Sequence, residues 1–170
     1  MSAGRRLTQL THHMKGKDIP NIPAIRKREF YKFILPIQTR WSDNDQYGHI
    51  NNSIFYHYID TVVNTYLIQQ CKLVPSSSTG PIGLVISSFA TFHAPVSFPV
   101  VIEAGLAITK IGNSSVKYQV GIFEKDKDIA SVIGGFTHVF VSQPDRRPIK
   151  QIPEDMKIGL SQIYVEDTSQ

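Results

Sequence analysis

The chain has one cysteine, Cys71, so it holds no intramolecular disulfide and no CxxC pair, and a reducing compartment takes precedence over an oxidising one. It has no run approaching the roughly 18 to 20 apolar residues of a membrane-spanning helix and no apolar signal core directly after Met1. A GxSxG nucleophile elbow is missing. His57, His93 and His138 share no metal-ligand spacing with a carboxylate or cysteine, and no repeat of roughly 20 to 50 residues recurs. These absences count against a membrane span, a zinc ribbon, an elbow-type hydrolase and a solenoid.

Charge is present but misplaced for a nucleic-acid surface. The net charge is +4 over 170 residues. Residues 1–32 carry eight basic side chains against Asp18 and Glu29, while the remainder carries ten basic and twelve acidic ones. The basicity therefore belongs to the start of the chain, and the rest is close to neutral. Residues 1–28, with little apolar periodicity and with Pro20 and Pro23, are expected to be a flexible basic extension. The domain is expected over 29–163 and a short tail over 164–170. No acid precedes Asp18, which leaves a mitochondrial matrix address as the alternative to a cytoplasmic one. No myristoylation pattern or peroxisomal tripeptide is present.

Lys32 to Trp41 alternates, with Phe33, Leu35, Ile37, Thr39 and Trp41 on one face, and reads as a half-buried strand; Pro36 places it at a sheet edge or has its amide position turned away from a partner. Ser53 to Gln70 contains no glycine or proline, and Phe55, Ile59, Val62, Val63 and Tyr66 recur at helical spacing. One long helix is predicted, capped by Asn51, Asn52 or Ser53. Extended segments follow at about Leu84–His93, Val100–Ile111, Ser115–Lys125 and Asp128–Ser142, joined by short turns as in an antiparallel meander. Gly134-Gly135 marks a bulge or a close backbone approach. A short helix is expected after Pro153. The class is α+β: one long central helix wrapped by a curved antiparallel sheet of about five strands.

Between the first strand and the helix stands Arg40-Trp41-Ser42-Asp43-Asn44-Asp45-Gln46-Tyr47-Gly48-His49-Ile50-Asn51-Asn52. A carboxylate in a loop that feeds a helix N-terminus has unpaired, partly positive amides within reach. That pairing suits thioester cleavage, which needs a carboxylate to activate water or attack directly and donors aimed at the developing oxyanion. The plainer reading is that Asp43 and Asp45 order a turn and complement the helix dipole. His49 could equally be a hydrogen-bonded structural histidine, and Asn51 a helix cap. Cys71 reads as a packing residue and Asp60 as a solvated helix charge.

The DxDxxGHxNN stretch, with Phe55, Tyr56, Tyr58 and Asp60 after it and Pro95 and the Pro148–Pro153 segment further on, resembles the hotdog-fold thioesterases of the 4-hydroxybenzoyl-CoA thioesterase type. The resemblance implies hydrolysis of an acyl thioester, an acyl-CoA, to a carboxylic acid and free thiol. It implies Asp45 as catalytic carboxylate, assisted by His49 and Asn51, with the Asn52 backbone amide on the carbonyl. Asp45, His49, Asn51 and Asn52 also match the pattern of plant acyl-carrier-protein thioesterases, except that Tyr47 replaces a catalytic asparagine. Tyr47, Gly48, Phe55 and Tyr56 are expected to border the substrate, and Arg146, Arg147 and Lys150 to meet coenzyme A phosphates or to form a solvated basic turn. No cofactor is expected beyond the coenzyme A of the substrate, and a homodimer or homotetramer is expected, with no nucleic-acid partner. The alternatives are a non-catalytic acyl-CoA-binding or protein-interaction module, a nucleic-acid binder built on Arg26-Lys27-Arg28, and an enoyl-thioester hydratase, whose motif is not found here.

Overall fold

The computed structural model describes residues 22–166. The expected helix forms over α1 (Asn52–Gln70). Its β-branched and aromatic residues have modest helix propensity, and tertiary burial overrides that weakness. Phe55, Ile59, Val62, Val63, Tyr66 and Leu67 are all at most 2% exposed, each contributing about 1.5 to 3 kcal/mol as an upper bound. Asn51 caps the start by accepting from the Ser53 amide. The end closes without a glycine, with Lys72 in the left-handed region at φ 54° and the Leu73 N–H reaching back to the Leu67 carbonyl at 3.0 Å.

Five strands form one antiparallel sheet: β1 (Phe33–Gln38), β2 (Ile82–Phe92), β3 (Val101–Ile111), β4 (Ser115–Glu124) and β5 (Val132–Val141). Their order is β1-β3-β4-β5-β2, so β1 with Pro36 and the long strand β2 are the two edges. With helix α2 (Glu154–Gln162) after Pro153, this is the expected architecture of a helix wrapped by a five-stranded sheet. One inner face carries Val116, Tyr118, Val120, Ile122, Phe136 and Phe140 against α1. Gly134 lies directly beneath the helix, where a Cβ would come 2.5 Å from Ile59 Cδ1. Gly134 and Gly135 keep regular pairing, so the expected irregularity there is a close approach. The register breaks fall instead at Val85/Ser87 in β2 and Ile108/Lys110 in β3.

Three boundaries differ from the sequence expectation. β1 stops at Gln38, and Trp41, placed on the buried face by alternation, is 83% exposed in a 3-10 turn, its ring edge-on to Phe98. Alternation could not register that Arg40 to Asp43 folds back on itself. Residues 22–28, assigned to the extension, are seated on the outer face of the sheet; residues 1–21 lie outside the described residues. Lys27 pairs with Ile129, Arg28 stacks over Phe123 at 5.0 Å, and the Tyr31 hydroxyl donates to the Ile25 carbonyl. Tyr31 fills a slot made by Gly105 and Gly121, directly opposite each other on β3 and β4. The tail also starts later than expected, since Tyr164 bridges to Ile108 and Val165 donates to its carbonyl.

Candidate active site

The loop from Trp41 to Ile50 is a tight two-stranded turn. Asn44 and Ile50 pair across it, the Asp45 N–H donates to the His49 carbonyl at 2.8 Å, and the Gly48 N–H to the Asp45 carbonyl at 3.2 Å. Gly48 has φ 79°, a conformation that suits glycine. The Asp45 side chain completes the turn, its Oδ1 accepting from the Tyr47 amide at 2.8 Å and the His49 amide at 3.4 Å. The turn is stitched to the β2–β3 connection by the Ile50 N–H on Val96 O, the Ser97 hydroxyl on Gly48 O and the Phe98 N–H on Asn44 Oδ1.

Asp43 is the residue whose environment the sequence did not disclose. Its carboxylate is 1% exposed yet satisfied: Oδ2 accepts from the Tyr58 hydroxyl at 2.6 Å and the Arg40 amide at 2.7 Å, and Oδ1 from the Arg40 guanidinium at 2.9 and 3.0 Å. Burial opposes its charge, but the bonds from Tyr58 and Arg40 win and hold its carboxyl below the usual carboxylate range, while burial and Asp43 together push the Tyr58 hydroxyl up. Its backbone carbonyl accepts from the Asn51 amide at 2.9 Å.

Asp45, Tyr47, His49, Asn52 and Phe55 line one open cleft of about 550 Å³ with Ile50, Phe92, His93, Ala94, Pro95 and Val96. Phe55 and Phe92 meet edge-to-face at 5.6 Å. At the helix start the Ser53 and Ile54 amides are taken up by Asn51, while the Asn52 amide has no protein acceptor among the described residues. Asp45 Oδ2 likewise receives no donor among them. Asp45 and Asn52, the first residue of α1, thus border the same cleft, and a carboxylate and a helix N-terminus are groups of the kind that acyl transfer uses.

Other expected site residues lie elsewhere. The Asn51 side chain is occupied in capping, bonded to the Ser53 amide and hydroxyl. Gly48 shapes the turn without lining the cleft, and Tyr56, 41% exposed, stands one turn beyond Asn52 outside the lining. Arg146, Arg147 and Lys150 are exposed beyond the C-terminal end of β5, opposite to the end of the sheet that holds the cleft. The sequence reading missed His93. It follows the last residue of β2, is anchored by its amide to Ser131 O at 2.8 Å, and lines the cleft; loss of hydration and then the Arg26 charge lower its pKa, favouring the neutral ring. Its only sequence signal was its place at a strand end before Ala94-Pro95.

Burial pushes the Cys71 thiol up to about 12, and the residue packs in the core. Among the described residues no three His, Cys, Asp or Glu side chains gather as a metal site, and no helix is long and apolar enough to cross a membrane. A second cleft, about 560 Å³, lies beside Lys27, Arg28 and Asp128. Its Asp128 carboxylate faces Arg28 at 3.9 Å, and its lining includes no residue of the Trp41–Ile50 turn or of α1.

The model of the thioesterase superfamily matches residues 47–131, and the chain belongs to that superfamily, with its hotdog fold. The crystal structure of the PA5185 protein from Pseudomonas aeruginosa is 42% identical, with a TM-score of 0.79 over 85% of this chain and 99% of that one. A 1,4-dihydroxy-2-naphthoyl-CoA thioesterase from Synechocystis shares the fold at 15% identity and a TM-score of 0.68, covering 76% of this chain and 95% of its own. So does the SAV2348 protein from Staphylococcus aureus in complex with CoA, at 15% identity and a TM-score of 0.70, covering 81% of this chain and 87% of its own. No curated protein gives a significant match.

Proposed function

We propose that this protein hydrolyses an acyl thioester, an acyl-coenzyme A, in the cleft between Asp45 and the start of α1. The observation that carries the reading is that Asp45 and Asn52, whose amide has no protein acceptor among the described residues, line one cleft. Asp45 Oδ2 takes a proton from water as the water oxygen bonds to the acyl carbon, or attacks that carbon itself to give, once the thiolate has left, an acyl–Asp45 anhydride that water cleaves to the carboxylic acid and the free carboxylate. The Asn52 N–H holds the oxyanion; collapse breaks the C–S bond, and the thiolate takes a proton to leave as free thiol. His49 steadies Asp45 through its backbone amide. Coenzyme A as carrier is supported by the neighbours named for CoA substrates or bound to CoA.

A second copy completes the reading. Edge strand β2 exposes Leu84, Val85, Ile86, Phe89 and Phe92, each at least 39% accessible, an apolar edge that soluble proteins cover. Two copies pairing antiparallel through β2 would bring the Ile82 end of one beside the His93 end of the other. Ile82 is opposite Val141, so Arg146 and Arg147 of one copy would approach the cleft of its partner, where phosphates of coenzyme A would lie. Lys150 follows close behind.

The test is thiol release from a panel of aryl, short, medium and long acyl-CoAs, with scattering measurements on the same sample. Turnover by a dimer or tetramer is expected, with Ile86→Lys lowering the oligomer mass and the activity together. Binding of acyl-CoA with no thiol released would make the protein a non-catalytic acyl-CoA-binding module, and an active monodisperse monomer would remove the second copy from the site.

A further inference from the structure

We infer that Asp43 and Tyr58 are positioning residues that set the distance between the Asp45 carboxylate and the Asn52 amide. The inference rests on the reading of those two groups as base or nucleophile and oxyanion donor. Neither Asp43 nor Tyr58 lines the cleft. The hydrogen bonds internal to the turn, Asp45 to Tyr47, His49 and Gly48, fix its shape but not its placement against α1. The outward bonds from Asn44, Gly48 and Ile50 run to the β2–β3 connection. The direct links to the helix run through Asp43: its carbonyl to the Asn51 amide at 2.9 Å, immediately before Asn52, and its Oδ2 to the Tyr58 hydroxyl at 2.6 Å, on the second turn of α1.

A buried carboxylate is a poor way to gain stability, because leaving water costs about as much as its partners return. It is a good way to fix geometry, since charge-assisted bonds are short and directional. Here one residue, two before Asp45, joins the turn to the cap through its backbone carbonyl and to the body of the helix that presents Asn52 through its side chain. The Arg40 side chain, 65% exposed, pairs with Oδ1 of the carboxylate, leaving Oδ2 to the Tyr58 hydroxyl and the Arg40 amide. A reaction that depends on a carboxylate and an amide converging on one carbonyl is sensitive to displacements of an ångström or less.

The experiment is steady-state kinetics on full-length Tyr58→Phe, Asp43→Asn and the double variant, with the best acyl-CoA of the panel, well below each Tm. Tyr58→Phe removes one oxygen from a site that keeps Arg40, and serves as the test if Asp43→Asn does not fold. The expected result is a kcat lowered roughly 10- to 100-fold at nearly unchanged KM. The double variant should lose no more than the worse single one, as befits one link cut twice. Unchanged kcat with a lower Tm, a loss confined to KM, or multiplicative losses would each overturn the positioning role. A wild-type protein that releases no thiol would instead overturn the reading of the site itself.

Discussion

Asp45→Asn is expected to lower kcat for thiol release by about 100- to 10,000-fold while leaving the fold and the affinity for acyl-CoA in place. The substitution is chosen for what it retains. Asp45 Oδ1 accepts from the Tyr47 and His49 amides, and an asparagine Oδ1 can do the same, so the turn keeps its closure. What is lost is the oxygen that receives no protein donor, replaced by an NH2 that can neither take a proton nor attack a carbonyl. Asp45→Ala removes both functions. It should match the loss in kcat and also lower stability by about 1 kcal/mol, the worth of the turn's hydrogen bonds. The pair of variants separates chemistry from scaffolding. Circular dichroism and calorimetric titration with a non-hydrolysable acyl-CoA analogue supply the controls. Should Asp45→Asn keep most of its activity, Asp45 is a turn residue and the reacting carboxylate is another.

The element order was readable because the signals were local. Glycine and proline are missing from 53–70, and Phe55 to Tyr66 falls on one helical face. Pro36 pointed to an edge strand or to an amide position turned away from a partner, and β1 is an edge. Asp45, Tyr47, His49, Asn52 and Phe55 were legible as neighbours because they are close in sequence and one turn gathers them. What escaped is what depends on distant segments. Asp43 looked like another turn aspartate, and its burial follows from a tyrosine 15 positions on. His93 reaches the cleft only because β2 pairs with β5 in a register that seats its amide on Ser131. Arg146 and Arg147 were grouped with the site by resemblance. In a single chain β5 carries them to the far end of the sheet, and the proposed second copy would bring them back.

Below pH 6.5 the protein is expected to lose stability through one residue away from the cleft, His138. Its ring is 4% exposed, set among Tyr118, Phe136 and Phe140 at centroid distances of 5.4, 4.7 and 5.6 Å. Among the described residues Nδ1 is buried without a partner, and Gly83 lies so close that a Cβ there would sit 2.6 Å from it. With no acceptor for Nδ1 among those residues, burial pushes the imidazole pKa down from 6.5 to about 4. Between those values the unfolded chain binds a proton that the native state refuses, so stability rises with pH there. The contribution is fully present above 6.5 and is lost as pH falls to about 4, to the extent of about 3 kcal/mol. That is a large share of the roughly 5 to 15 kcal/mol of a typical domain. The Asp43 carboxylate, whose pKa is lowered, acts in a separate window, because its contribution is lost only at more acid pH. Urea unfolding at intervals from pH 7.5 to 4 should therefore give a slope that His138→Leu, apolar and of similar size, largely abolishes. An unchanged slope in that variant would place the acid sensitivity elsewhere, with the ring finding a proton acceptor when it charges.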